Sequence, residues 1–146
     1  MLSMRSWLFL LLGALAAIGC GKESYRLAPV SGQVRLNGKP LPKAWVHFAP
    51  KATSKENNAP GPTSHGLTDM DGRFTLGVDP QHPGAVVGAN RVFISTLEEG
   101  TRDVPDAGGM KTFRDRVPAR YNQETKLVYV VPPEGSGEAD FDLKAP

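Results

Sequence analysis

The chain has 146 residues, one of them Cys, with 17 basic and 15 acidic side chains and a net charge of +2. That length accommodates one domain. A single cysteine excludes an intramolecular disulfide and any Cys-based metal cluster, and a charge so near balance leaves no cationic excess to hold a nucleic acid. Gly and Pro are numerous, 16 and 13, which speaks against a helical protein.

Residues 1–19 differ from the rest. Met1 to Arg5 is short, polar and positively charged, and Trp7 to Ile18 is an apolar run that ends in small residues before Cys20. This is the order of a secretory signal peptide, and the run is too short to cross a bilayer, which takes about 20 apolar residues. The end of the run, Ala17-Ile18-Gly19-Cys20, resembles the lipobox of bacterial lipoproteins, with Ala17 where Leu is usual. The resemblance implies a diacylglyceryl group on the Cys20 thiol, cleavage after Gly19 and acylation of the new amino group. Such an anchor is stable because each buried CH₂ contributes about 0.8 kcal/mol and two or more chains hold where one does not. Gly21 in place of Asp implies export to an outer membrane. Cleavage removes Arg5 alone from the charge count, so the mature chain stays near neutral.

Gly21 to Leu27 reads as a tether, which makes residues 20–27 a lipidated linker and 28–145 the folded domain. From Pro29 the period is two. Val30, Gly32, Val34 and Leu36 alternate with Ser31, Gln33 and Arg35, and Asn37-Gly38 then signals a hairpin turn. Ala44, Val46 and Phe48 alternate with Trp45 and His47. A weaker strand lies near Leu67-Thr68, followed by the turn Asp69-Met70-Asp71-Gly72 and a strand with Phe74, Leu76 and Val78 inward. Val92 and Ile94, then Leu127, Tyr129 and Val131, then Ala139, Phe141 and Leu143 supply the remaining inward sets. The mature chain has no sustained 3.6-residue apolar repeat, so almost no helix is predicted. Strands with one dry and one wet face, separated by turn-rich stretches, predict an antiparallel sandwich. The long connections, residues 50–65 and 98–118, are polar or charged and poor in aromatics, and read as surface loops.

Val30-Ser-Gly-Gln-Val-Arg-Leu-Asn-Gly-Lys-Pro-Leu-Pro-Lys-Ala-Trp-Val-His-Phe, Thr68-Asp-Met-Asp-Gly-Arg-Phe-Thr-Leu and Gly88-Ala-Asn-Arg-Val-Phe-Ile together resemble the carboxypeptidase regulatory-like family, with Asn90 where that family's Tyr is usual. The resemblance covers most of residues 28–145 and implies an all-β, seven-stranded antiparallel Greek-key sandwich of the prealbumin (transthyretin-like) type. Its motifs are structural rather than catalytic.

The residues themselves offer little chemistry. His47, His65 and His82 lack the i, i+3 or i+4 spacing of a zinc pair. Asp69 and Asp71 resemble the start of a calcium loop, but the twelfth position, where Glu is needed, is Pro80. There is no Gly-x-Ser-x-Gly elbow and no phosphate loop. The Tyr-Arg-Gly-Ser ending of the transthyretin-like hydroxyisourate hydrolases is also missing, since this chain ends Asp142-Leu-Lys-Ala-Pro. The reading is therefore no enzyme, no cofactor and no metal. The expected role is that of a lipid-anchored envelope module which holds the membrane through Cys20 and meets a protein partner or a glycan. Trp45 and His47 are the candidate interaction residues, because an outward Trp joins a large apolar body to one N–H donor. The competing reading folds the 50–65 loop over the indole and makes it peripheral core, as is usual for so large a residue. For the anchor, Cys20→Ser is expected to abolish lipid labelling and detergent-phase partitioning in cells; a variant labelled and membrane-bound to wild-type extent would refute it.

Overall fold

The computed structural model describes residues 25–52, 60–97, 104–106, 109–111 and 114–146; the segment expected to be a signal peptide and Cys20, the expected lipid site, lie outside them. The strands are, in chain order, β1 (Leu27–Ala28), β2 (Ser31–Leu36), β3 (Lys39–Pro40), β4 (Trp45–Pro50), β5 (Ser64–Leu67), β6 (Arg73–Thr75), β7 (Gly77–Asp79), β8 (His82–Pro83), β9 (Ala85–Val86), β10 (Gly88–Ser95), β11 (Val104–Asp106), β12 (Gly109–Lys111), β13 (Val128–Val131) and β14 (Phe141–Leu143). A 3-10 turn at Ala119–Tyr121 is the one helical element among the described residues. The protein is all-β and sandwich-like.

The larger sheet has six strands in the order β13-β10-β4-β5-β7-β8, and β2 organises a second sheet with β14, β3 and β6. Alternation dictates what lies between them. Val34, Val46, Phe48, Phe74, Leu76, Val92, Ile94, Val131, Ala139 and Leu143 are all buried, as their period-two spacing requires. Phe48 touches Tyr129 and Phe141 at ring-centroid distances of 5.5 and 6.1 Å, and Phe141 stacks on Phe74 at 6.3 Å, so one aromatic chain ties the two sheets together. Tyr129 lends its hydroxyl to Ser136 Oγ at 2.8 Å, which pairs the one polar atom of that chain. Gly32 marks a close approach, because a Cβ there would stand 2.0 Å from the Ala139 carbonyl oxygen.

Several expectations are refined by the tertiary pairing. Asn37 and Gly38 do take positive φ, 52° and 80°, but the strand they return is the two-residue β3, while β4 leaves for the larger sheet. The Asp69–Gly72 turn, with the Asp69 Oδ1 accepting the N–H groups of Asp71 and Arg73, also carries the chain from one sheet to the other rather than closing a hairpin. The single strand expected over Phe74–Val78 is two: it breaks at buried Leu76, with β6 pairing β2 and β7 pairing β5. The sandwich is not wholly antiparallel, since β14 runs parallel to β2. The chain from β13 crosses over, is caught by hydrogen bonds between Ser31 and both Ser136 and Ala139, and so enters the second sheet in the direction of β2.

The connection 98–118 contains a hairpin, β11–β12. β5 begins at Ser64, so His65 belongs to a strand rather than to a loop. Leu27, expected at the end of the tether, pairs with Val86 inside β1. Phe141 is half-buried, because β14 is an edge strand with one open flank. Buried Thr68, from the Thr-Asp-Met-Asp-Gly turn, accepts the Ala44 N–H at 2.8 Å and donates to the Leu41 carbonyl at 2.6 Å, so its hydroxyl fixes the entry into β4. Phe74→Ala is expected to lose about 3–5 kcal/mol of a total of about 5–15. Urea denaturation reads this directly, and a midpoint close to wild type would contradict the inward register of β6.

Candidate functional site

β4 lies between β10 and β5, and its register decides which side chains meet. Trp45 stands opposite Leu67 on one side and Ser95 on the other; His47 stands opposite His65 and Phe93. Val46 and Phe48 have no exposed surface, so the intervening Trp45 and His47 face outward, and their cross-strand partners share that face. Three rings gather there. Trp45 stacks on His47 at 6.1 Å with a 28° interplanar angle, lies 5.9 Å from His65, and the two imidazoles are 6.1 Å apart at 39°. His65 is exposed, and Trp45, His47 and Phe93 are half-buried. On its other flank His65 pairs with Gly77, which has no side chain to cover the ring.

Around this cluster the same face carries apolar surface. Leu67 is beside Trp45, and Val128, opposite exposed Arg91, is joined by Val130 two residues on; these three are 48%, 48% and 65% exposed. The structure thus brings together Trp45 and His47, the residues singled out in the sequence, and adds His65, Phe93 and Leu67. His65 is 18 residues from His47, at the end of the 50–65 stretch whose composition reads as a surface loop. The signal for it was the Ser64-His65-Gly66-Leu67 alternation, whose inward members are too small to read as a strand. Part of the burial of Trp45 comes from the neighbouring imidazoles; the rest of the 50–65 connection, residues 53–59, lies outside the described residues.

The Ser95 end of the face is framed by Asp115. Its carboxylate accepts the Ser95 hydroxyl (2.5 Å), the Thr96 N–H and hydroxyl (2.9 and 2.8 Å), the Val117 N–H (2.9 Å) and the Asn122 amide (3.0 Å). Burial opposes its ionisation, but the hydrogen bonds from Ser95, the Thr96 and Val117 backbone and the Thr96 hydroxyl outweigh it and hold the carboxyl below the usual aspartate value. Arg116 donates to the Pro42 carbonyl at 2.7 Å, which ties this segment to the chain just before β4.

Other candidates are local. His82 sits in the β7–β8 turn with its Nδ1 2.8 Å from the Asp79 carboxylate, and that hydrogen bond is the chief reason the Asp79 carboxyl is lowered. A groove of about 430 Å³ on the outer side of the second sheet is lined by Gln33, Arg35, Arg73, Thr75 and Asp140 among others. Three of these residues bond within the fold: Arg35 donates to Gln33, the Gln33 side-chain amide to the Asp71 carbonyl, and the Gln33 N–H to Asp140. Among the described residues no group of three His, Cys, Asp or Glu could hold a metal ion.

No protein-family model matches this chain, and no curated protein or solved structure compared with it does either.

The Asp115 network generates an acid dependence of defined sign. A carboxyl lowered in the folded state stabilises the fold above the ordinary aspartate pKa of about 3.9 and stops doing so as pH falls through the lowered value. Asp115→Asn is therefore expected to be less stable than wild type at pH 7, with the gap narrowing below about pH 4. Urea midpoints from pH 7 to pH 3 check this; a constant gap would show that the carboxylate charge is irrelevant.

Proposed function

We propose that this protein is a non-catalytic module of the cell envelope that binds a partner protein through the outer face of its larger sheet. In this reading residues 1–19 are removed, Cys20 carries the lipid, residues 20–25 link it to the domain, and the chain from Arg26 to Ala145 forms a prealbumin-like Greek-key sandwich of the carboxypeptidase regulatory-like kind. The anchor resides in an outer membrane, and the near-neutral mature chain leaves nucleic acid without an attraction. The observation that carries the binding role is the ring cluster Trp45–His47–His65, set on a rigid central strand and bordered by exposed Leu67, Val128 and Val130. Large aromatic side chains in a partly apolar patch are what protein interfaces use as anchors, and a strand in mid-sheet loses little entropy when it presents them.

A glycan partner is the second reading, favoured by the same three clustered rings. In-cell crosslinking of wild type and Trp45→Ala, followed by identification of the adducts, tests the first. One protein adduct is expected to fall several-fold in the variant while the folded level of the module is unchanged. Binding of polysaccharide with no Trp45-dependent protein adduct would favour the glycan, and adducts indifferent to Trp45 would remove this face from consideration.

A further inference from the structure

We propose that His47 and His65 together chelate a divalent transition-metal ion of the zinc, copper or nickel class on the outer face of the larger sheet. The two residues are direct partners across the β4–β5 ladder. Opposed Cβ atoms in such a ladder are about 4.5–5.5 Å apart, and here the rings stay close, with centroids at 6.1 Å. Two imidazoles bound through one nitrogen each to the same ion, at about 2.0–2.1 Å per bond, hold their ring centres about 5–6 Å apart. The ladder therefore already holds the two rings at close to the bridging distance, and no movement of the sheet is required.

The surroundings favour the same chemistry. β4 is hydrogen-bonded on both sides and β5 is held by β7, so the register of the pair is fixed before any ion arrives. His65 faces solvent beside Gly77, which leaves an entry path. Neutral imidazole suits zinc, copper and nickel, with copper the tightest in the usual order. The indole of Trp45 lies about 6 Å from both imidazoles, so an ion held by the pair would sit beside it. His82 is engaged with Asp79 in a separate turn. Since no third His, Cys or carboxylate joins the pair among the described residues, the protein supplies two ligands and water fills the remaining positions. The site is open and exchangeable, unlike a closed four-ligand structural zinc. It goes beyond the interaction role proposed above and does not depend on it.

The full-length chain in detergent, carrying Trp7→Phe and Cys20→Ser, has Trp45 as its one indole and no thiol to compete for metal. Titration with Cu²⁺ is expected to quench Trp45 emission saturably, with prior loading by a large excess of Zn²⁺ shifting the copper titration to higher concentration and a chelator restoring the emission. His47→Gln and His65→Gln should each weaken binding about tenfold or more, since even a residue that only orients a metal ligand is worth about 10–100-fold. His82→Gln should leave it unchanged. Excess Zn²⁺ should raise the melting temperature of the parent chain and not that of His65→Gln, because an ion that binds only the folded form stabilises it by mass action. Quenching that never saturates, or equal affinity in His65→Gln, would overturn the proposal. Because His65 is exposed, that variant decides the question even where His47→Gln fails to fold.

Discussion

β4 is pinned by hydrogen bonds to β10 on one edge and β5 on the other, and the residues it turns toward the second sheet, Val46 and Phe48, are fully buried. A strand so committed has no freedom over its remaining side chains: Trp45 and His47 must stand on the opposite face. A slip of one residue would drive the indole and an imidazole into the core and expose Phe48. The core and the candidate site are thus two sides of one register, and the burial of Phe48 is what holds the rings in place.

The two sheets are kept in that relation by a few side chains. Phe141 reaches from the edge strand of one sheet to Phe48 and Tyr129 of the other, and to Phe74 beside it. Leu76 is buried at the point where the chain changes sheets, its N–H donating to the Val30 carbonyl and its carbonyl accepting from Gly84. Thr68 bridges Leu41 and Ala44 ahead of β4, and Asp115 gathers five donors behind the end of β10. The contacts of Leu76, Thr68 and Asp115 satisfy polar groups that would otherwise be left without partners on folding. Together they hold in place the strands that carry the ring cluster.

A rigid site suits the proposed anchoring. From Cys20 to Tyr25, the first described residue, an extended chain reaches about 17 Å at about 3.3–3.6 Å per residue, so the lipid would hold the domain close to its membrane. Arg26 and Leu27 are already bound into the fold, through the Pro133 carbonyl, Val87 and Val86. In the proposed anchoring, the linker from Cys20 would thus end before Arg26, and the module would have limited reach from its membrane.

Most of the strands, their inward residues and the all-β class follow from local order in the sequence, because period-two alternation requires only that one face of a strand be dry. Val34, Val46, Phe48, Phe74, Val92, Ile94, Tyr129 and Leu143 announce themselves in this way, and so does the outward placement of Trp45 and His47. Pairing is a different matter. That β2 takes β6, β3 and β14 rather than β4, that β14 runs parallel, and that Phe74–Val78 divides between two sheets all depend on contacts between distant segments, which no local pattern encodes. The meeting of His47 with His65 belongs to the same category. The spacing that governs a helix face says nothing about two strands 18 residues apart, and only the hydrogen-bonded register of β4 and β5 sets those imidazoles side by side.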